Sequence, residues 1–263
     1  MNDHLIAVIL GLVEGVTEFL PVSSTGHLIL AGHLLGFNGE TAKLFDVFIQ
    51  LGAILAVVVA YFRTFAELFS APVERGFNGY HGIVLLGLTT LPALMVGALA
   101  HGAIKMHLFT PDTVALALAV GAVWILVVDR RLRGRTGGDL NGLTWKIALG
   151  IGLFQCLALW PGMSRSTCTI VGGMMLGLSL SAATRYSFFA AVPLMILAVA
   201  YDLLKNAVLL TADALPWFLT GFAVSFLSAL AAIAFLIRFV SRHGLAPFAW
   251  YRLAVAALVW WLL

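Results

Sequence analysis

The chain has 263 residues, of which 62% are hydrophobic and only 10% are charged, and its formal net charge is +3. Soluble domains carry about 25% charged residues, so this composition excludes a soluble globular protein. The basic residues lie in short loops between apolar runs, where they set membrane topology, and they do not indicate a nucleic-acid partner.

Apolar segments follow one another along the whole chain, and they are continuous rather than alternating. Continuous apolar runs of this length predict helices in a bilayer, so the chain is predicted to be an all-α integral membrane protein in contact with membrane lipids. Six segments can each span the membrane: 43–62, 82–104, 112–129, 184–204, 214–238 and 246–262.

Two further pairs of segments are short and broken at a proline. The first pair, 5–20 and 24–36, is broken at Pro21, and the second, 144–160 and 166–178, is broken at Pro161. Broken helices at membrane depth are tolerated where they are buried in protein or line a cavity. Each pair is therefore interpreted as a re-entrant helical hairpin that enters the membrane and returns to the same side.

The basic residues orient this topology. If neither hairpin crosses, the loops at 63–81, 130–146, 179–185 and 238–245 lie on one side, and the positive-inside rule makes that side cytoplasmic. Both termini are then predicted to face outward. No cleaved signal peptide is expected, because the first residues contain neither a basic region nor a cleavage site. The basic residues of the cytoplasmic side are Arg63, Arg75, Arg130, Arg131, Arg133, Arg135, Lys146, Arg185, Arg238 and Arg242. Those of the opposite side are Lys43, Lys105 and Lys205.

The chain also contains a weak internal repeat within a single membrane domain, 1–263. Gly11-Leu12-Val13-Glu14 resembles Gly152-Leu153-Phe154-Gln155, and both Pro21 and Pro161 are followed three residues later by serine. Each copy, at about 1–135 and 140–263, comprises one hairpin and three spans, so the second copy must be inverted. Inverted repeats with broken helices place a binding site near the membrane midplane, between the repeats.

Two carboxylates precede the first break. Glu14 and Glu18 are four residues apart, so they share a helix face at a separation of about 5–6 Å. In a medium of low dielectric constant this pair requires a cation, a shared proton or a metal. Arg165, after the second break, is the obvious cation, and a purely structural ion pair is the alternative.

Small hydroxyl residues follow each proline and open a new helix. Such residues are good N-caps, which is the simpler explanation. Two helix N-termini meeting inside the membrane would also form an anion site, and the planar fork of Arg165 suits a phosphate. The hydroxyl residues are Ser23, Ser24 and Thr25 in the first segment and Ser164 and Ser166 in the second.

His27 lies three residues after Ser24, within one helical turn. Histidine can act as a general base near neutral pH, and serine beside a base is the minimal nucleophile pattern. The other histidines lack such neighbours and are interpreted as interfacial or loop residues. Cys156 and Cys168 form no metal-binding pattern and are interpreted as small core residues.

The two motifs resemble those of the bacterial undecaprenyl-pyrophosphate phosphatase family, the bacitracin-resistance proteins. The resemblance covers essentially the whole chain. It implies an enzyme of the cytoplasmic (inner) membrane that removes the terminal phosphate of a C55 polyprenyl diphosphate on the outer face, so that the lipid carrier returns to cell-wall synthesis. The matching residues are Glu14, Glu18, Pro21, Ser23, Ser24, Thr25, Gly26 and His27, and Pro161, Gly162, Ser164, Arg165, Ser166 and Thr169.

The resemblance also implies roles for these residues. Ser24 would attack the terminal phosphorus, with Glu18 or His27 taking its proton, and serine or histidine as nucleophile stays open. Arg165 would stabilise the transferring phosphoryl group, and Glu14 with Glu18 would hold Mg or Ca, with no organic cofactor. The remaining residues expected to contact the substrate are Ser23, Thr25, Gly26, Ser164, Ser166 and Thr169.

Two rival functions share some of these features. Type-2 phosphatidate phosphatases act on similar lipids, but their lysine and histidine motifs are absent from this chain. A polyprenyl-phosphate flippase or transporter would also use inverted repeats and intramembrane carboxylates. Small residues between Gly221 and Ala232 would suit packing within the fold or across a homodimer, so the oligomeric state stays open.

Overall fold

A computed structural model describes residues 2–70, 76–108 and 110–262. This part of the chain is helical and contains no β-strand, as the continuous apolar runs predicted. The helices are α1 (Asp3–Thr17), α2 (Ser24–Leu35), α3 (Glu40–Ala60), α4 (Phe62–Glu67), α5 (Gly79–His107), α6 (Pro111–Leu132), α7 (Trp145–Gln155), α8 (Arg165–Met175), α9 (Leu180–Lys205), α10 (Leu215–His243) and α11 (Ala246–Leu262).

Within the described residues, five helices are long and apolar enough to cross a membrane: α3, α5, α6, α9 and α10. They correspond to five of the six predicted spans, and they confirm a multi-pass membrane protein. The sixth predicted span corresponds to α11, which has 17 residues and belongs to the shorter apolar helices. The prediction of six spans is therefore met in part.

The two short segment pairs form two pairs of short helices. α1 contacts α2, and α7 contacts α8. The second helix of each pair begins after a serine with an unusual backbone, since Ser23 and Ser164 both have φ of 73°. No other non-glycine residue in the described ranges has a positive φ. A non-glycine residue held there costs about 1–3 kcal/mol, and such strain clusters at functional sites.

Helix α1, which carries Glu14 and is followed directly by Glu18, is fixed by close packing against α10. A Cβ added to Gly11 would lie 2.5 Å from the carbonyl oxygen of Gly221, and one added to Gly15 would lie 2.1 Å from Ser228 Oγ. Small residues at a helix interface let the backbones approach in this way. Part of the small-residue stripe of α10 is thus used inside the fold.

The loops predicted on the basic side contact one another. Phe77 N donates to Leu140 O at 3.0 Å, and Ser179 N donates to Gly138 O at 2.9 Å. Leu245 N donates to Asp129 Oδ1 at 3.0 Å. The basic loops therefore lie at one end of the helix bundle. Arg75 lies outside the described residues, and so does the side chain of Lys105.

Candidate active site

The two breaks meet inside the bundle. Ser166, in the first turn of α8, donates through Oγ to the carbonyl oxygen of Leu20 at 2.8 Å. This bond joins the loop before α2 directly to the start of α8. The N-termini of α2 and α8 therefore lie side by side, and each carries backbone N–H groups that have no acceptor within its helix.

A carboxylate connects the two motifs. Glu18 Oε1 accepts from Arg165 Nη2 at 2.9 Å, and Glu18 Oε2 accepts from Ser24 Oγ at 2.5 Å. The side chains of Glu18 and Arg165 are only 9% and 10% exposed, so the pair is held away from bulk solvent. One carboxylate thus holds a cation from one break and a hydroxyl from the other.

Helix α9 holds the Arg165 guanidinium from behind. Nη1 donates to the carbonyl oxygen of Ser187 at 2.9 Å, and Thr169 donates to Ser187 Oγ at 2.7 Å. The remaining donor, Arg165 Nε, is buried and has no hydrogen-bond partner. Thr169 therefore supports the residue that holds Arg165, whereas Arg165 keeps one donor for a further acceptor.

The Ser23 and Ser164 side chains cap the two helices. Ser23 Oγ accepts from Gly26 N at 3.4 Å, and Ser164 Oγ accepts from Thr167 N at 3.2 Å. Ser164 Oγ also shares a hydrogen bond of 2.9 Å with Ser166 Oγ. The capping explanation thus applies to these two serines, each of which accepts from one amide in the first turn of its helix.

His27 makes its contacts away from Ser24. Its Nδ1 lies 2.7 Å from the Ser23 carbonyl oxygen, so this nitrogen carries the proton. Its Nε2 lies 2.8 Å from the Tyr251 hydroxyl, which donates to it, and the two rings are stacked. The histidine therefore braces the strained Ser23, while the hydroxyl of Ser24 has Glu18 as its partner.

A cavity of about 190 Å³ opens between the two breaks. Six of the predicted site residues line it, whereas Glu14, Gly26, His27, Ser166 and Thr169 do not. The six are Glu18, Ser23, Ser24, Thr25, Ser164 and Arg165. The other lining residues are Gln50, Ala93, Gln155, Ala158, Leu159, Pro161, Gly162, Leu194, Met195 and Ala198.

Sequence reasoning missed several polar residues of this region. Gln155 lines the cavity and donates to Thr89 O at 3.0 Å, and the repeat that pairs it with Glu14 could have identified it. Arg252 was also missed, although an arginine within an apolar helix is itself a signal of function. Ser187 and Gln50 lie in spanning helices with no motif around them, so the sequence carried no signal for them.

The predicted metal ligands were tested against the donors present. Glu14 is fully buried, and neither of its carboxylate oxygens has a hydrogen-bond partner. In the described ranges no group of three or more acidic, histidine or cysteine side chains is arranged to hold a metal. Mg²⁺, however, is often held by one or two carboxylates together with water and substrate phosphates. The unpartnered Glu14 beside Glu18 fits such a site.

Comparison with known proteins gives a consistent family. Residues 7–258 match the family described as Bacitracin resistance protein BacA. The chain is 58% identical over 261 residues to an undecaprenyl-diphosphatase of Nitratidesulfovibrio vulgaris strain DP4, which covers 99% of this chain and 98% of the relative. It is 45% identical over 262 residues to undecaprenyl-diphosphatase 1 of Bacillus thuringiensis strain Al Hakam, covering 98% and 97%.

Proposed function

Because this chain belongs to the bacitracin resistance protein BacA family, we propose that it is an undecaprenyl-diphosphatase whose chemistry takes place where the two loop breaks meet. It hydrolyses the phosphoanhydride bond of undecaprenyl diphosphate and returns the monophosphate for cell-wall synthesis. The observation that carries the assignment of the site is the single carboxylate of Glu18, which contacts both Ser24 and Arg165.

The geometry suits an in-line displacement by Ser24. Ser24 Oγ attacks the terminal phosphorus, its proton passes to Glu18 Oε2, and the bond to the bridging oxygen breaks, releasing undecaprenyl monophosphate. Water then attacks the phosphoserine, the bond between phosphorus and Ser24 Oγ breaks, Glu18 returns its proton to Ser24 Oγ, and the phosphate leaves with the protons of the water. Because Ser24 already donates to Glu18, the transferred proton has an acceptor in place before attack.

Arg165 and the two helix N-termini face the charge that the phosphoryl group carries. The Nε donor of Arg165 is free for a phosphate oxygen, and the first-turn amides of α2 and α8 are further donors. Fixed donors in a site that excludes water stabilise developing charge far better than donors in bulk water. Ser187 and Thr169 keep the guanidinium fixed while the substrate binds.

Glu14 and Glu18 would hold a divalent cation, Mg²⁺ or Ca²⁺. Such an ion would neutralise charge on the diphosphate oxygens. The supporting observation is the buried Glu14 carboxylate, whose two oxygens have no partner. A buried carboxylate without a partner is costly, so a cation or a proton is needed at this position.

The finer architecture supports the same site. α1 with α2 and α7 with α8 form re-entrant hairpins, α11 is the sixth span, and the copies 1–135 and 140–263 form inverted repeats within one domain. The matched backbone of Ser23 and Ser164, both with φ of 73° before the second helix of their pair, supports this equivalence. The diphosphate group then lies between the repeats, near the membrane midplane.

The arginine-rich end of the bundle faces the cytoplasm, and the active site opens to the outer face of the inner membrane. We expect an impermeant maleimide to label Asn38→Cys on intact cells, in a background without Cys156 and Cys168. Ser241→Cys, in the last turns of α10, is expected to react only after permeabilisation. Both positions are exposed, so the reverse pattern would show that the orientation is inverted.

The function is tested by phosphate release from undecaprenyl diphosphate in detergent, with and without EDTA. We expect release by the wild-type protein, loss of release on chelation, and recovery on addition of Mg²⁺ or Ca²⁺. Full activity in EDTA would contradict the cation site but not the phosphatase. No release by folded protein under any condition would overturn the phosphatase and leave a polyprenyl-phosphate flippase as the better account.

A further inference from the structure

Arg252 of α11 is fully buried and carries the largest set of side-chain hydrogen bonds near the breaks. The guanidinium makes six hydrogen bonds, all to carbonyl oxygens except one to a hydroxyl. No carboxylate pairs with it anywhere in residues 2–70, 76–108 and 110–262. A buried charge without a counter-ion is costly, so the contacts it makes must explain its presence.

Those contacts join both breaks to one side chain. Nη1 donates to Pro21 O at 3.3 Å and to Met163 O at 3.1 Å, and Nη2 donates to Gly162 O at 2.9 Å. Pro21 lies two residues before Ser23, and Gly162 lies two residues before Ser164. One rigid fork therefore holds the equivalent carbonyl group ahead of each strained serine.

The same guanidinium also contacts the helices on either side. Nη1 donates to Thr167 Oγ1 in the first turn of α8 at 3.0 Å. Nε and Nη2 donate to Leu118 O and Ala117 O of α6, each at 3.2 Å. Arginine is suited to this task because its donors are fixed in one plane, whereas a lysine ammonium could satisfy only a few of these acceptors.

Helix α6 leaves room for the fork at a glycine. A Cβ added to Gly121 would lie 2.1 Å from Arg252 Nη2 and 2.8 Å from its central carbon, a separation at which the guanidinium would have to move. The position therefore offers a way to displace the side chain without removing its charge.

We propose that Arg252 is a positioning residue that holds the two breaks in register, so that Ser24 from the first and Arg165 from the second face the same phosphoryl group. The proposal rests on the proposed function. Arg252 acts through the loop carbonyls and does not touch the substrate. Misplacement of reacting groups by about 1 Å can cost about 100-fold in rate, so loss of this register acts on kcat.

The first test uses Arg252→Lys and Gly121→Ala, with Arg238→Lys and Gly87→Ala as matched controls. Arg238 is exposed, and a Cβ on Gly87 meets nothing within 4 Å. We expect kcat per folded protein to fall about 100-fold in each test variant. The Kd for a non-hydrolysable polyprenyl methylenediphosphonate should change by less than about threefold, because the lipid tail and ground-state contacts persist. Unchanged kcat in both folded variants would overturn the proposal.

The double variant separates positioning from simple packing. If both substitutions act through the guanidinium, Gly121→Ala should have little further effect on kcat in the Arg252→Lys background, since its clash partner has gone. Fully additive effects on kcat would mean that Gly121 serves packing alone, and they would count against the positioning role of the Arg252 guanidinium. Either single variant suffices for the first test if the other does not fold.

Amide hydrogen exchange gives a readout that does not depend on hydrolysis. In Arg252→Lys, exchange at 20–25 and 161–166 should rise together, while exchange in α3 and α10 stays as in the wild type. If the wild-type protein releases no phosphate but Arg252→Lys still shows this rise in exchange, the phosphatase is refuted and the positioning role is retained. Exchange that rises at neither break, or uniformly over the whole chain, would refute the positioning role even in an active enzyme.

Discussion

Arg165→Lys is expected to reduce kcat/KM for undecaprenyl diphosphate by about 10³-fold, although the positive charge is kept. An arginine that stabilises a transferring phosphoryl group contributes about 10³–10⁵ in rate. Lysine cannot reach Ser187 and Glu18 simultaneously while offering a third donor to phosphate, because its donors sit on one nitrogen. The measurement is steady-state phosphate release by purified protein of verified folding.

Arg131→Lys is the matched control, because Arg131 is exposed in the last turn of α6 and does not line the cavity. Its activity should equal that of the wild type. Arg165→Lys with more than about a tenth of wild-type kcat/KM would show that charge alone suffices, and the fork assigned to the phosphate would be wrong.

The sequence predicted the elements of this fold because each has a local signal. Continuous apolar runs predicted the spanning helices, and the prolines at 21 and 161 predicted the two breaks. Boundaries followed closely, since helices α2 and α8 begin at Ser24 and Arg165, next to the predicted positions. α11 shows where this reasoning is weakest, because its 17 residues lie at the limit of what can span a bilayer.

The sequence predicted which residues approach one another at the site, but not all of the hydrogen bonds between them. The excess of carboxylates before one break and the single arginine after the other predicted the contact between Glu18 and Arg165. The choice between Glu18 and His27 as partner of Ser24 could not be made from spacing, because residues three apart on a helix are near one another without having to touch. The choice depended on Tyr251, which lies 224 residues from His27 in the sequence and binds the histidine ring.

Long-range contacts explain the residues that were missed. Arg252 lies 231 residues from Pro21 and 90 from Gly162, so no local pattern connects it with either break. Ser187 is similar, because its role follows from the way α9 packs on α8. The presence of an arginine within an apolar helix could have identified Arg252 as a functional candidate. The groups that it binds could not be predicted from the sequence.

The second large effect on activity is expected from removal of the Ser24 hydroxyl. Ser24→Ala is expected to lower kcat by at least about 10³-fold, because loss of a nucleophile removes the covalent route altogether. His27→Ala should cost only about tenfold in kcat, because the hydrogen bond that braces Ser23 is worth about 1.4 kcal/mol and His27 does not contact the Ser24 hydroxyl.

A labelled terminal phosphate distinguishes the two residues directly. Rapid acid quenching of wild type with substrate carrying ³²P in that phosphate should trap label on Ser24, since acid preserves phosphoserine. Ser24→Ala should carry none, and the control Ser241→Ala, whose exposed hydroxyl donates to Ile237 O at the far end of α10, should behave as wild type. Substantial turnover by Ser24→Ala, with label on His27 that is retained after an alkaline quench and lost in acid, would instead make histidine the nucleophile. In that case Glu18 and Ser24 would serve to orient the phosphate, and the ring of His27 would have to leave Tyr251 to reach the phosphorus.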